Sequence, residues 1–164
     1  MNEKIRDFQI YVLCGVPGSG KSTWAQKHMR EKPIVSRDEI RLNIIKDEED
    51  YFSHETEVFS TFINSIVDAC KSFGCCIVDA THISKTSRHK LFRALDEQIK
   101  DRYDTTIVYF NVPLGTCLQR NKLRNGRALV PEQAIYSMHS RLTEPEYYEH
   151  ESIKEIWKIG GRLF

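Results

Sequence analysis

The chain has 164 residues, of which 40% are hydrophobic and 29% are charged, values typical of one globular domain with a sizeable core. Its 24 lysines and arginines nearly balance 23 aspartates and glutamates, so the chain as a whole is not a general polyanion-binding protein. No apolar run approaches the roughly 20 residues of a membrane-spanning helix, and the charged N-terminus MNEKIRD is unlike a signal peptide. Together with five cysteines that form no CxxC pair, these features predict a cytoplasmic protein with buried free thiols, no membrane contact and no obligate protein partner.

Short apolar runs alternate with longer helical segments along the whole chain. In chain order we predict a strand over 8–14, a helix over 21–31, a strand over 33–36, a helix from about 38, a helix over 55–73, a strand over 75–80, a helix over 84–100, a strand over 105–111, helices over 114–123 and 131–143, and a strand over 156–159. Strands that alternate with helices predict an α/β fold with a five-stranded parallel sheet and helices on both faces, in one domain over 1–164. In such sheets ligands bind at the carboxyl ends of the strands.

A glycine-rich stretch, GVPGSGKST, lies between the first strand and the first helix. Gly15, Gly20, Lys21 and Ser22 match the pattern G-x-x-x-x-G-K-[ST], in which glycines let backbone N–H groups converge on phosphate oxygens. The lysine of this pattern reaches the β- and γ-phosphates, and the serine hydroxyl binds Mg²⁺. The motif predicts a P-loop NTPase fold of the kinase type with ATP and Mg²⁺ as cofactors. The expected nucleotide contacts in the loop are Gly15, Gly18, Ser19, Gly20, Lys21, Ser22 and Thr23.

The stretch SRDEIR follows the second predicted strand. Asp38 and Arg41 stand three residues apart and therefore share one face of the helix that begins there. A carboxylate beside the γ-phosphate can accept the proton of an acceptor hydroxyl, and an arginine can hold an anionic group of the acceptor. The alternative is an acidic first helical turn with a local salt bridge.

The stretch CIVDATH places Asp79 at the end of a buried strand, where an aspartate can hold Mg²⁺ directly or through water. A capping role is the alternative for Asp79. Thr81 and His82 follow in the same loop and are candidates for contacting the acceptor. For His82 a general-base role and a simple hydrogen-bonded loop role are both open.

Basic residues crowd the stretch RNKLRNGRALVP, where Arg120, Lys122, Arg124 and Arg127 have no acid between them. We predict an arginine-rich lid over about 116–130 that closes over the triphosphate, with Arg120 among the nucleotide contacts. A solvated basic helix end is the alternative.

A second basic run follows Asp79 on the next predicted helix and contains Lys85, Arg88, Lys90 and Arg93. It is either a solvated helix face or a contact for the backbone of a nucleic acid. The acidic stretch 144–155 would oppose nucleic-acid binding if it lay nearby.

Taken in order, the motifs GVPGSGKSTWA, SRDEIR, DATH and YFNVP…CLQRNKLRNGRALVPEQAIYSMHSRL resemble those of the P-loop polynucleotide 5′-hydroxyl kinases, particularly the kinase domain of the bacteriophage members. The resemblance covers most of the chain and implies transfer of the γ-phosphate of ATP to a 5′-hydroxyl end of RNA or DNA. It also implies that Lys21, Asp38 and Arg124 are catalytic, with Asp38 as the general base and Arg124 at the γ-phosphate. Arg41 would contact the phosphate on the 3′ side of the acceptor nucleotide. The family commonly has asparagine where this chain has His82.

Two other classes of function fit the same phosphate loop. A small-molecule kinase that phosphorylates a nucleoside or a gluconate-like hydroxyl would have a closed acceptor pocket, whereas a kinase for nucleic-acid ends needs an open groove. A nucleotide-binding regulatory module would bind the nucleotide without transferring phosphate, and such a switch needs an element that rearranges on hydrolysis.

Overall fold

A computed structural model describes residues 5–160 of the chain. Five strands form one sheet: β1 (Phe8–Cys14), β2 (Ile34–Ser36), β3 (Cys75–Asp79), β4 (Tyr103–Asn111) and β5 (Ile153–Gly160). The helices are α1 (Lys21–His28), α2 (Arg37–Ile44), α3 (Glu55–Phe73), α4 (Lys85–Ile99), α5 (Leu114–Lys122) and α6 (Glu132–Arg141). Two short 3₁₀ turns cover Gly126–Ala128 and Tyr147–Glu149.

The strand order is β2-β3-β1-β4-β5, and every neighbouring pair is parallel. This arrangement confirms the predicted five-stranded parallel sheet. Because β1 lies between β3 and β4, the loops after these three strands meet at one edge of the sheet. The glycine-rich loop therefore adjoins the loop that contains Asp79.

Helices cover both faces of the sheet, so the central strands are buried on both sides. On one face α3 and α4 contribute Phe62, Ile66 and Phe92 to a cluster with the buried side chains of β1 and β3. On the other face Trp24 of α1 and Ile135 of α6 belong to a second buried cluster. These two cores explain why the strands read as continuous apolar runs in the sequence.

The element boundaries differ from the prediction mainly at chain reversals. Helix α1 ends at His28 and not at residue 31, because Met29 leaves helical geometry and the chain turns before Pro33. Strand β5 begins three residues earlier than predicted, at Ile153. It is an edge strand whose residues are mostly exposed, and therefore its sequence lacks a regular apolar period. Its register against β4 also shifts near Thr105.

All five cysteines have free thiols, and burial raises the pKa of Cys14 to about 11 and that of Cys70 to about 12. Such thiols stay protonated at neutral pH and behave as small apolar side chains. Among residues 5–160, none of the helices combines the length and the apolar character needed to cross a bilayer.

Candidate active site

The glycine-rich loop is held between β1 and α1 by backbone contacts to its neighbours. Its first residue, Gly15, donates its N–H to the carbonyl of Thr81 at 2.9 Å. Gly18 and Gly20 have φ values of 82° and 92°, which favour glycine. A Cβ on Gly18 would lie 2.4 Å from the carbonyl oxygen of Cys117 in α5. The loop thus needs glycine for both its dihedral angles and its close approach to α5.

The loop presents polar groups that the protein itself leaves unsatisfied. Gly20 is the N-cap of α1 and supplies no side-chain hydrogen bond to the first turn of that helix. Ser19 is fully buried, and its hydroxyl oxygen has no hydrogen-bond partner among the described residues. Exposed helix N-termini next to glycine-rich loops bind phosphate through backbone N–H groups. These residues therefore fit the phosphates of a nucleotide.

Lys21 is 8% exposed, and its ammonium donates a hydrogen bond to the carbonyl of Val16 at 3.0 Å. Burial lowers the pKa of Lys21, the negative charges of Asp79 and Asp38 raise it, and the positive charge of Arg124 lowers it. The net result is a pKa of Lys21 below its ordinary value, and the charges of Asp79, Arg124 and Asp38 are among the causes.

A hydroxyl and a carboxylate meet at the start of α1. The Ser22 Oγ donates a hydrogen bond to Asp79 Oδ2 at 2.8 Å, across the gap between α1 and the end of β3. Hydroxyl and carboxylate oxygens are the ligand types that Mg²⁺ uses beside phosphates. The pair fits a magnesium ion. The next residue, Thr23, is exposed at the start of α1, as Ser22 is.

Asp38 lies in the first turn of α2. Ser36 caps this helix, because its hydroxyl oxygen accepts a hydrogen bond from the Glu39 N–H at 3.3 Å. The Asp38 side chain is 74% exposed, whereas that of Arg41 is 7% exposed. Arg41 Nη1 donates to Asp38 Oδ1 at 2.8 Å, and Arg41 Nε and Nη2 donate to the two oxygens of Glu55 at 2.8 and 3.1 Å. Burial opposes the charge of Arg41, but hydrogen bonds to Glu55 and Tyr51 raise its pKa overall.

Two residues of this network, Tyr51 and Glu55, were not identified from the sequence. The Tyr51 hydroxyl donates to Asp38 Oδ1 at 3.0 Å and accepts from Arg41 Nη1 at 3.2 Å. Its ring lies under the Arg41 guanidinium, with 4.7 Å between the guanidinium carbon and the ring centre. The only sequence signal was an acidic first turn of α3 downstream of the basic side chains of α2.

The loop after β3 holds Thr81 half-buried and His82 almost fully buried, with 5% of His82 exposed. His82 Nδ1 donates to the carbonyl of Leu13 at 3.2 Å, and the His82 carbonyl accepts from Cys14 Sγ and from Arg88 Nη1. Burial lowers the pKa of His82 to about 4. The structure thus places a neutral imidazole in the interior, where the hydrogen-bonded loop role suits it.

The predicted lid contacts both the phosphate loop and the segment after α2. Arg120 Nη1 donates to the carbonyl of Gly18 at 3.3 Å. Arg127 in the 3₁₀ turn pairs with Asp47 at 3.3 Å. Arg124 lies between Arg120 and Arg127 in the chain and is exposed. Its positive charge lowers the pKa of Lys21. Arg120 therefore lies against the loop that fits the phosphates, whereas Arg127 lies against the segment after α2.

A buried amide closes the C-terminal part of the predicted lid segment into a loop. Asn121 is almost fully buried, with 1% of the residue exposed. Its side-chain amide donates a hydrogen bond to the Val130 carbonyl at 2.7 Å and accepts one from the Val130 N–H at 3.0 Å. Asn121 was not predicted to have a structural role, since an asparagine among arginines reads as a surface residue. The two hydrogen bonds close the ten residues 121–130 into a loop.

The basic run on α4 does not form a continuous solvent-exposed face. Arg88 is fully buried and forms a two-bond ion pair with Glu149 at 2.7 and 2.8 Å. Lys85 lies over the ring of Tyr148 at 4.8 Å. The acidic stretch 144–155 is therefore next to α4. A nucleic-acid contact through Arg88 was a wrong alternative, because its side chain is a core cross-link.

Comparison with protein families gives one family model, described as an AAA domain, that matches residues 10–145. Among solved structures, a chain in the Pnkp1/Rnl/Hen1 RNA repair complex is 25% identical, with a TM-score of 0.71 over 86% of the present chain. The present chain covers 46% of that chain and thus spans about half its length. The similarity confirms a P-loop kinase fold that resembles polynucleotide kinase.

Two further structures share the fold at lower identity. A putative kinase from Chloroflexus aurantiacus J-10-fl is 11% identical with a TM-score of 0.70, over 94% of the present chain and 86% of the other. A gluconokinase from Sinorhizobium meliloti 1021 is 14% identical with a TM-score of 0.58, over 96% and 85% of the two chains. At these identities the likeness concerns the fold alone, which polynucleotide and small-molecule kinases share.

Proposed function

Since the chain belongs to the AAA domain family and has a P-loop kinase fold, we propose that it transfers the γ-phosphate of ATP to a 5′-hydroxyl end of RNA or DNA. The observation that carries the proposal is the carboxylate of Asp38, which is exposed and is held in place by hydrogen bonds from Arg41 and Tyr51. The resemblance to a chain of an RNA repair complex, at 25% identity, supports nucleic acid as the acceptor.

The donor side of the site consists of the glycine-rich loop, Lys21, Ser22 and Asp79. Lys21 is buried beside the loop, so its ammonium can neutralise phosphate charge in a region with little water. Mg²⁺ bound by Ser22 and Asp79 would neutralise further charge on the transferring phosphoryl group. Arg120 contacts this loop from the predicted lid, and in this proposal Arg120 and Arg124 add further positive charge at the phosphates.

The acceptor side centres on Asp38. Its Oδ1 accepts hydrogen bonds from Arg41 and Tyr51, which fix the carboxylate and leave Oδ2 for the acceptor hydroxyl. A carboxylate in that position can orient the hydroxyl and take its proton during attack on the γ-phosphate. Because the Asp38 side chain is 74% exposed, it is accessible to the end of a long chain.

Arg41 has a positioning role in addition to its predicted contact with acceptor phosphate. A guanidinium has five N–H donors, and the hydrogen bonds to Glu55, Asp38 and Tyr51 engage four of them. One N–H on Nη2 is therefore left for the acceptor. In this proposal Thr81 contributes to the acceptor side from the loop after β3, whereas His82 supports that loop from the interior.

The test is transfer of labelled phosphate from γ-labelled ATP with Mg²⁺ to short 5′-hydroxyl RNA and DNA oligonucleotides, with gluconate and nucleosides in parallel. Asp38→Asn should keep ATP binding and lose transfer about 10²- to 10⁴-fold. Glu39→Gln is the matched control, because Glu39 is an exposed acid in the same helical turn. Lys21→Ala should abolish transfer.

Each class of function predicts a different pattern. Labelled oligonucleotide that depends on Asp38 supports the proposal. Label on gluconate or on nucleosides alone would replace it with a small-molecule kinase. ATP binding with no transfer to any acceptor would indicate a regulatory module.

A further inference from the structure

An exposed aromatic ring lies directly beside the residues that hold Asp38. Phe52 is 61% exposed, in the segment between α2 and α3. Its ring packs edge-on against Tyr51, with 4.9 Å between the ring centres and 86° between the planes. The Tyr51 hydroxyl in turn donates a hydrogen bond to Asp38. Phe52 is therefore linked to the proposed general base through Tyr51 alone.

The ring of Phe52 is fixed although it is exposed. The Arg41 guanidinium carbon lies over the ring, 5.5 Å from its centre, and Arg41 is itself held by Glu55. With one face towards a cation and most of its surface in water, the ring can accept a second flat group on its open side. Scattered exposed apolar residues need no explanation, but a fixed ring at the acceptor side of the site does.

We propose that Phe52 is a stacking platform for the terminal base of the acceptor, the base attached to the sugar that carries the 5′-hydroxyl. The inference rests on the proposed function and names the part of the substrate that this site recognises. Base stacking on aromatic side chains tolerates every base, and a neighbouring arginine strengthens it. The acceptor class is therefore a nucleoside unit, and a sugar acid without a ring system is not recognised in this way.

The charges around Phe52 favour an uncharged ring over a phosphate. The four residues 47–50 have the sequence DEED and precede Tyr51 directly. Asp47 pairs with Arg127 and Glu49 with His54, whereas Glu48 and Asp50 are exposed. Negative charge disfavours a phosphate directly beside the ring and leaves stacking of a neutral base unaffected. The segment 47–52 therefore suits the base, and the phosphate contact stays with Arg41.

The experiment compares two oligonucleotides with a 5′-hydroxyl that differ only in the terminal nucleotide, which carries either a base or an abasic tetrahydrofuran sugar. The wild-type protein should show a kcat/KM about 10- to 100-fold higher for the acceptor with the base. In Phe52→Ala this preference should disappear, mainly through a higher KM for the acceptor with the base, and the loss on the abasic acceptor should be much smaller. Phe52→Trp should retain the preference.

Phe73→Ala is the matched control. Phe73 is 69% exposed and is the last residue of α3, just before β3 begins. It therefore lies near the amino ends of the strands, away from the site at their carboxyl ends. This variant should keep the wild-type preference. Equal kcat/KM values of the wild type for both acceptors would overturn the inference, as would an equal loss on both acceptors in Phe52→Ala. In either case labelled oligonucleotides would still support the proposed function, whereas no oligonucleotide labelling at all would overturn both.

Discussion

The buried imidazole of His82 should make the stability of the fold depend on pH. Burial lowers its pKa from 6.5 to about 4, the hydrogen bond to the Leu13 carbonyl opposes that shift, and the charges of Arg37, Arg88 and Lys21 add to it. The unfolded chain takes up a proton at His82 near pH 6.5, while the folded chain does so only near pH 4. Stability from this residue is therefore complete above pH 6.5 and is lost as the pH falls towards 4.

The size of the effect follows from the difference between the two pKa values. At 1.36 kcal/mol per unit, the free energy of unfolding should fall by about 3 kcal/mol in total as the pH passes through this window. About 2 kcal/mol of it is lost between pH 7 and pH 5. This is a large part of the roughly 5–15 kcal/mol that stabilises a typical domain.

Urea unfolding followed by tryptophan fluorescence at several pH values between 7.5 and 5 measures this effect. The informative quantity is the difference between the wild type and His82→Asn, because other titrating groups contribute equally to both proteins. Asparagine removes the titration and tolerates the positive φ of 42° at this position. The stability difference between the two proteins should shift in favour of the variant by about 2 kcal/mol from pH 7 to pH 5.

His89→Gln is the control, because it replaces an exposed histidine of α4 that lies outside the buried loop. A stability difference between wild type and His82→Asn that stays constant from pH 7.5 to pH 5 would refute the reasoning. It would mean that the folded protein accommodates the imidazolium.

Two further substitutions test the phosphate loop and the buried ion pair between Arg88 and Glu149. Gly18→Ala should lose nucleotide binding, because the new Cβ would lie 2.4 Å from the Cys117 carbonyl oxygen. For the same reason its free energy of unfolding should fall by more than the roughly 1–2 kcal/mol that a left-handed conformation costs alanine. Isothermal titration with an ATP analogue measures the first effect, and urea unfolding measures the second. Glu149→Gln should destabilise the fold by about 3–5 kcal/mol, because it leaves the charge of Arg88 buried without a counter-charge; thermal unfolding measures the loss.

Each of these two substitutions has a matched control. Gly115→Ala adds the same methyl group in the first turn of α5, where nothing lies within 4 Å, and should bind nucleotide normally. Glu151→Gln removes an exposed acid two residues from Glu149 and should change stability by less than about 0.5 kcal/mol. Wild-type nucleotide affinity in Gly18→Ala, or a melting temperature of Glu149→Gln equal to that of Glu151→Gln, would contradict the corresponding account.

Interactions between residues close in the chain made much of the fold and the phosphate loop predictable. The continuous apolar runs predicted the strands β1 and β3, and the longer helical segment predicted α3, nearly to the residue. The glycine-rich loop was recognisable because its conformation depends on the dihedral freedom of residues within the loop itself. The start of β5 was misplaced because an edge strand has too few buried positions to show a period.

Contacts between residues distant in the chain were decided only by the tertiary structure. Asp38 and Arg41 were visible as a pair, but Glu55 and Tyr51 join them from another helix and a loop. Arg88 and His82 looked like surface or site residues, and both are buried, because the partners that satisfy or neutralise them lie as far as 61 and 69 residues away. The sequence by itself therefore determined the fold class and the phosphate loop, since these rest on local dihedral and hydrophobic preferences. Which charged groups face the acceptor and which are cross-links in the core depended on packing between separate elements.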